Sequence, residues 1–264
     1  MKSPSPSNSS TLQNRILKYY RDAYTGYRDS VLCGTRVCST AERQKVERQE
    51  RDIKQGVPGY VFLMEEGLKP LLWITMNLCI PLGKKRGQPM KLEAWQAYDT
   101  IVLFGWVKKD DHGRRRFVDA FWEVARKNGK STFSAALLDY LIFGETPGVR
   151  GYIGATTLEQ AEEVFVRCEK ELSLVNKGVS VANSKNNKVL KWRDGVITAI
   201  AGEPKDGKLA YGTVIDEYHQ HRDNGLINSI RFGNISDQQS LLIRITTAGV
   251  SLGGVCHEEY KKCK

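Results

Sequence analysis

Gly129, Lys130, Ser131 and Thr132 follow a short apolar run and open a helical pattern. Between a strand and a helix, that order suits an anion. Backbone N–H groups of the turn and of the helix N-terminus converge on one point, and the helix dipole adds to the attraction. Against the phosphate-loop spacing G-x-x-x-x-G-K-[ST], Gly129, Lys130 and Ser131 match the last three positions, and Val124 replaces the first glycine. Lys130 then reaches the β- and γ-phosphates, and the Ser131 hydroxyl ligates Mg²⁺. Arg126, Lys127 and Asn128 complete the loop, where Arg126 offers positive charge to a departing phosphoryl group.

A second constellation lies downstream. Thr213-Val214-Ile215 is an aliphatic run ending in the adjacent acids Asp216 and Glu217. In a parallel sheet, ligands sit beyond the carboxyl ends of the strands, the edge where the phosphate loop also lies. There Asp216 would hold Mg²⁺, directly or through water. Glu217 would orient and deprotonate an attacking water. Leu241–Ile245 is another buried aliphatic run, finishing in Thr246, Thr247, Ala248 and Gly249, whose hydroxyls could sense a γ-phosphate and move when it leaves. Upstream, Trp95-Gln96 lies in a helical segment, and a glutamine amide can both donate to and accept from an adenine edge.

The elements that must position these groups are read from periodicity. Residues 1–11 are Ser/Pro-rich and are expected to form a disordered leader, and 12–110 a mostly helical region. In it Leu12, Ile16, Tyr19 and Tyr20 share one helical face, and Ser39 with Glu42 has the spacing of a capping box opening a helix that runs to about Gly56. Leu68–Leu78 and Leu92–Trp106 are further helical segments. From residue 111 onward strands alternate with helices. Phe117–Ala125, Arg150–Ala155, Thr213–Ile215 and Leu241–Thr246 read as strands, and Val189–Trp192 with Val196–Ala201 as a hairpin. Lys130–Phe143 and Leu158–Leu174 read as helices, the latter with Ala161, Val164, Phe165 and Cys168 on one stripe. The alternation predicts an α/β fold with a mostly parallel central sheet flanked by helices.

Composition sets outer bounds. The 264 residues carry 40 Lys+Arg against 30 Asp+Glu, a net +10, which permits a polyanionic partner without requiring one. A 41% apolar content excludes disorder of the whole chain. The sequence has no run of the ~18 apolar residues that a membrane helix needs, and no secretory leader, so it reads as soluble and intracellular with no membrane partner. The six cysteines have no C-x-x-C pair and are expected to be free thiols.

With these residues assembled, the chain resembles the ATPase half of a tailed-phage terminase large subunit, over about Leu92 to Ser251. The resemblance rests on Ala125–Ser131, a variant phosphate loop in which the leading glycine is typically missing, and on Trp95-Gln96 with Phe104-Gly105-Trp106 as the adenine-motif helix. It rests also on Ala155-Thr156-Thr157 with Gln160-Ala161, on Val214–His219 as the Walker B strand, and on Thr246–Gly249 as the coupling motif. It implies a P-loop NTPase fold of the additional-strand, conserved-glutamate (ASCE) type, with ATP and Mg²⁺ as cofactors and double-stranded DNA moved into a procapsid. By position it implies that Lys130 and the loop residues Arg126, Lys127, Asn128, Gly129, Ser131 and Thr132 bind nucleotide, with Trp95 and Gln96 at the adenine. Ser131 and Asp216 would hold the metal, Glu217 would be the base, Arg126 would promote hydrolysis, and Thr246, Thr247 and Ala248 would couple.

The resemblance further implies a portal protein and a small terminase subunit as partners, a homo-oligomeric ring on the procapsid, and the cytoplasm of a bacterial host. The family's nuclease domain is not expected in this chain, nor cleavage activity from it. Two other readings fit the residues. Asp216-Glu217-Tyr218-His219 is a D-E-x-H box, as in helicase-type ATPases. A DNA-binding assembly module with an inactive nucleotide site would instead use Lys84-Lys85-Arg86 and Arg114-Arg115-Arg116.

Overall fold

The computed structural model describes residues 6–185, 187–202, 210–233, 239–249 and 254–263. The fold divides into two units. One takes in the chain up to Met76 together with Lys91–Phe117, and the other Asn77–Met90 together with the chain from Val118 onward. The division therefore differs from a simple cut at residue 110. Residues 77–90 join the second unit, where the Cys79 N–H donates to Glu171 O at 3.1 Å and Asn176 Nδ2 to Asn77 O at 2.8 Å.

In the first unit, helix α1 (Pro6–Leu32) starts inside the segment expected as a disordered leader, so residues 6–11 are helical. Pro6 occupies the first helical position, where a missing N–H costs nothing. Its buried stripe is Ile16, Tyr20, Tyr24, Tyr27 and Val31, while Leu12 and Tyr19 are 48% and 44% exposed. The core-facing side is thus rotated from the one anticipated, because a run of tyrosines every three or four residues outweighs one leucine. Helix α2 (Thr40–Gln55) is capped as expected, with Ser39 Oγ accepting the Glu42 N–H at 3.1 Å and Gly56 closing the helix at φ 76.

Strand β1 (Tyr60–Phe62), helices α3 (Met64–Asn77) and α4 (Ala94–Gly105), and strand β2 (Trp106–Lys108) follow. The β1–β2 pair forms a small antiparallel ribbon in a region read as mostly helical, where no strand was anticipated. Aromatic packing holds this unit: the Tyr98 ring on α4 stacks on Tyr24 at 4.9 Å, and Tyr20 Oη meets Thr75 Oγ1 at 2.8 Å.

The second unit contains β3 (Asp119–Glu123), α5 (Lys130–Tyr140), β4 (Arg150–Ala155), α6 (Leu158–Ser173), β5 (Ser180–Ser184), β6 (Asn187–Trp192) and β7 (Gly195–Ala201). It continues with β8 (Gly212–Ile215), α7 (Gly225–Gly233), β9 (Leu241–Thr246) and α8 (Val255–Cys263). Among the described residues these strands form a seven-stranded sheet in the order β3-β9-β8-β4-β7-β6-β5. Pairings from β3 through to β7 are parallel, and β6 and β5 add an antiparallel edge. The mostly parallel α/β sheet expected from the sequence is present.

The loops after β3, β9, β8 and β4 consequently emerge at one edge. Helix α6 buries Ala161, Val164, Phe165 and Cys168, the anticipated stripe. Helix α5 passes after Tyr140 into a π turn, Leu141–Glu145, short of the expected α-helical end at Phe143. No helix among the described residues is long and apolar enough to cross a membrane.

Two carboxyl groups sit where carboxylates are costly. Asp139 on α5 and Glu171 on α6 are fully buried, and none of their four oxygens has a hydrogen-bond partner among the described residues. Burial pushes both far above the usual carboxylate range. Asp139 adds to the rise of Glu171, while Arg167 opposes it weakly, and the buried Cys168 thiol borders Asp139.

Because these pKa values are raised on folding, the native chain holds protons that the unfolded chain has lost above about pH 4. The neutral acids impose no ionisation penalty at low pH, and the penalty grows as pH rises towards the folded values. Glu171→Gln should therefore leave the urea midpoint near pH 4 unchanged and raise it at pH 7–8. Each unit of raised pKa removed is worth about 1.4 kcal/mol. Denaturation curves across that range check this, and equal midpoints for the two proteins at pH 8 would contradict it.

Candidate active site

The chain leaves β3 at Glu123, where the Val124 N–H still pairs with Thr246 O at 2.9 Å, and turns sharply into α5. Two left-handed residues make the turn, Lys127 at φ 68 and Gly129 at φ 79. Only glycine takes the second at no cost, whereas Lys127 carries strain of the kind that clusters at functional sites. The first helical hydrogen bond of α5 runs from Phe133 N–H to Gly129 O. The N–H groups of Lys130, Ser131 and Thr132 therefore have no acceptor inside the helix and are available to an anion.

Strand β8 ends at Ile215, and the Asp216 N–H still pairs with Gly154 O of β4 at 3.0 Å. Glu217 then takes a left-handed conformation, φ 44 and ψ 51. Its N–H donates to Asp216 Oδ1 at 2.8 Å, which fixes the two acids relative to each other. Strand β9, between β3 and β8, delivers Thr246 and Thr247 to the same edge.

These elements converge. Lys130 Nζ lies 2.7 Å from Glu217 Oε1 and 3.5 Å from Asp216 Oδ1. The lysine side chain is 11% exposed and that of Asp216 is 2%. Burial alone would depress the Lys130 ammonium, but the bond to Glu217 and the charges of Asp216 and Glu217 hold it above its ordinary value. Burial pushes Asp216 up, and the Lys130 charge opposes that rise. Glu217 Oε2 faces Thr247 Oγ1 at 3.5 Å and His219 Nδ1 at 3.3 Å, and His219 Nδ1 lies 2.9 Å from Thr246 Oγ1.

The donor set fits a phosphate chain with a hard divalent cation. Asp216 and the Ser131 hydroxyl, both buried at this edge, offer oxygen donors of the kind that suits Mg²⁺. Of the residues singled out from the sequence, Lys130, Asp216, Glu217, Thr246 and Thr247 form one connected cluster. Arg126, Lys127, Asn128 and Gly129 are exposed in the loop, Thr132 is half-buried in the first turn of α5, and Ala248 is exposed after β9.

Trp95 and Gln96 belong to the first unit. There Gln96 is buried, and its Oε1 accepts the Glu93 N–H at 2.9 Å as part of the cap of α4. His219 was not singled out, although the D-E-x-H spacing was its signal.

The basic clusters separate. Arg115 is buried against the Phe104 ring, and Arg116 pairs with Asp52 at 2.8 Å over the Trp106 ring. That leaves Arg114–Arg116 largely structural, contrary to its reading as a nucleic-acid surface. Lys84, Lys85 and Arg86 are exposed.

Known proteins resemble parts of this chain. Protein YmfN of Escherichia coli K12 is 32% identical over 69 residues, 26% of this chain and 15% of its own. The large terminase of bacteriophage HK97 superposes with a TM-score of 0.59 at 23% identity, over 74% of this chain and 40% of its own. That likeness shows the fold, in which β9 is the additional strand between the loop strand and the acid strand. The large terminase of a thermophilic bacteriophage gives a weaker likeness, TM-score 0.43 at 11% identity, covering 56% of this chain and 38% of that one. This chain thus spans well under half the length of these relatives. The model of the terminase large subunit ATPase domain matches residues 94–264, more than half of the chain, and takes in the phosphate loop, the acid pair and both threonines. On that match the chain belongs to the family of terminase large subunit ATPase domains.

Proposed function

We propose that this chain hydrolyses ATP with Mg²⁺ as the motor domain of a phage terminase, moving double-stranded DNA into a procapsid. In this reading it works in the cytoplasm of the bacterial host, as one subunit of a ring on the portal protein, with a small terminase subunit as a further partner. One observation carries the reading: the loop lysine and the acid pair meet at 2.7 Å and 3.5 Å on the edge where α5 presents its free N–H groups. An inactive nucleotide site would not need both carboxylates and the lysine together. The family match favours a packaging motor over the helicase reading of the D-E-x-H box.

The residues have distinct tasks. The N–H groups at the start of α5 and the Lys130 ammonium bind the phosphates. Ser131 and Asp216 hold Mg²⁺, which when bound offsets the charge of the β- and γ-phosphates. Glu217 orients the attacking water and takes its proton. Lys130 now occupies Glu217 Oε1, so a phosphate that draws the ammonium away also frees that oxygen to accept a proton. Arg126, exposed in the loop, supplies charge to the departing phosphoryl group. Thr246 and Thr247 respond to loss of the γ-phosphate.

The reading makes separable predictions. Glu217→Gln should keep ATP affinity within about twofold and lower kcat by about 10²–10⁴, since the amide cannot accept the proton. Phosphate-release assays beside equilibrium binding of a fluorescent nucleotide measure both, and unchanged turnover would remove Glu217 from the role of base. Lys130→Ala should weaken nucleotide binding by about 10–100-fold, the scale of a charged hydrogen bond. Binding of duplex DNA should fall steeply between 50 and 200 mM salt, as about one counterion is released per phosphate contact. Reversal of charge at the exposed Lys84, Lys85 and Arg86 should reduce that salt slope, and an unchanged slope would remove this turn from the DNA contact.

A further inference from the structure

The D-E-x-H histidine lies within the catalytic cluster, and its hydrogen bonds fix its chemistry. Thr246 Oγ1 has a single hydrogen, and that hydroxyl donates to the Thr247 carbonyl oxygen at 2.9 Å. Toward His219 the same oxygen can therefore only accept. It does so twice, from the His219 backbone N–H at 3.2 Å and from the ring Nδ1 at 2.9 Å. The Cys256 thiol also borders Thr246, but sulfur is a weak acceptor and does not displace the carbonyl. Nδ1 must then carry a hydrogen. Its hydrogen bond goes to the threonine, and Nδ1 also lies 3.3 Å from Glu217 Oε2, near enough for the polarised imidazole edge to bear electrostatically on that carboxylate oxygen.

The ring has little freedom to leave this position. Its backbone is tied to Thr246, and the Cβ of any other residue at position 249 would come within 3.0 Å of His219 Cβ. A glycine therefore lets the segment after β9 close over the imidazole. Lys130 donates to Glu217 Oε1 at 2.7 Å, and the His219 ring nitrogen sits 3.3 Å from Oε2, so groups from two different elements border the two oxygens.

We infer that His219, held as the Nδ1–H tautomer by Thr246, is the positioning residue that aims the Glu217 carboxylate at its water and ties that aim to strand β9. This deepens the proposed ATPase role of the same site and rests on it. A shift of Thr246 along β9 moves the acceptor that holds the imidazole. The imidazole in turn moves one oxygen of the base. The partners assigned to His219 are Thr246 and the carboxylate, so its loss acts on turnover and spares binding.

Two measurements on the full chain test this. In the first, His219→Ala should lower kcat for ATP by about 10–100-fold, the scale of a misaimed catalytic group, with nucleotide affinity unchanged within about twofold. His219→Asn, whose side-chain amide can donate from nearly the same place as Nδ1, should recover most of that loss. Thr246→Val should reproduce the His219→Ala defect, and the double variant should be no worse than either single one, because both remove one interaction. Equal turnover of His219→Ala and wild type would overturn the inference, as would an equal loss in the Ala and Asn variants.

In the second, the ring ¹⁵N and ¹³C shifts of His219 report its tautomer without any turnover. A hydrogen on Nδ1 that is lost in Thr246→Val supports the arrangement, and an unprotonated Nδ1 in wild type overturns it. If wild type itself hydrolyses no ATP, the ATPase reading fails, and the tautomer measurement still decides the geometry.

Discussion

An ammonium and two carboxylates share one corner of the sheet edge, and most of the second unit is arranged to bring them there. Asp216 is almost wholly removed from water, an expensive place for a charge, and its acidity is weakened accordingly. Lys130 offsets that cost without abolishing it. Under the proposed function the pair would re-partner, since a group bringing phosphate to the lysine and a cation to the aspartate would satisfy both. Strained backbone at Lys127 and Glu217, two of the three described non-glycine residues with positive φ, flanks the same corner. Strain of this sort persists only where the surroundings over-determine it, here through the Glu217 N–H bond to Asp216 and the packing of Tyr218 into the core.

Strand order turns this local chemistry into a connected device. With β9 between β3 and β8, the threonines at its end touch the acid turn on one side, and the backbone of Thr246 holds the start of the phosphate loop on the other. A displacement of β9 by a fraction of an ångström is felt at both places, because packed cores do not deform continuously. Had β3 paired directly with β8, nothing would lie between the loop and the acids to report a change in either.

The convergence of these groups was legible in the sequence because each segment that carries them is local. Gly129-Lys130-Ser131 and Asp216-Glu217 are short, each follows an aliphatic strand, and parallel pairing brings their strands' ends together whatever the intervening chain does. The edge strand β5 left no signal: Ser180–Ser184 is exposed along its whole length and so lacks the alternation that betrays a half-buried strand. Helix α7 was missed because it is short, although Leu226, Ile227 and Ile230 fill a core cluster with Tyr152 and Tyr218. Residues 77–90 could not be assigned to the second unit from composition, since their attachment is through hydrogen bonds to α6 and the residues after it. The burial of Arg115 and the pairing of Arg116 were hidden for a related reason, as a run of charge does not disclose that Phe104, Trp106 and Asp52 receive two of its members.

Arg244 shows what such hidden pairings contribute. Its guanidinium is buried on β9 and bonds Asp119 of β3 at 2.9 Å and Glu259 of α8 at 2.8 Å, with the Tyr218 ring 5.3 Å away. Burial disfavours its charge, but the two carboxylates raise it beyond the ordinary arginine range. A buried ion network of this kind is weak as a source of stability, since desolvation consumes most of the attraction. Its geometry is nonetheless specific: one planar fork sets the register of β3 against β9, seats α8, and abuts the residue that follows Glu217. Aliphatic side chains could fill the same volume but would not fix three elements relative to the turn that carries Asp216 and Glu217. The site therefore depends on polar groups placed outside it as much as on the motif residues within it.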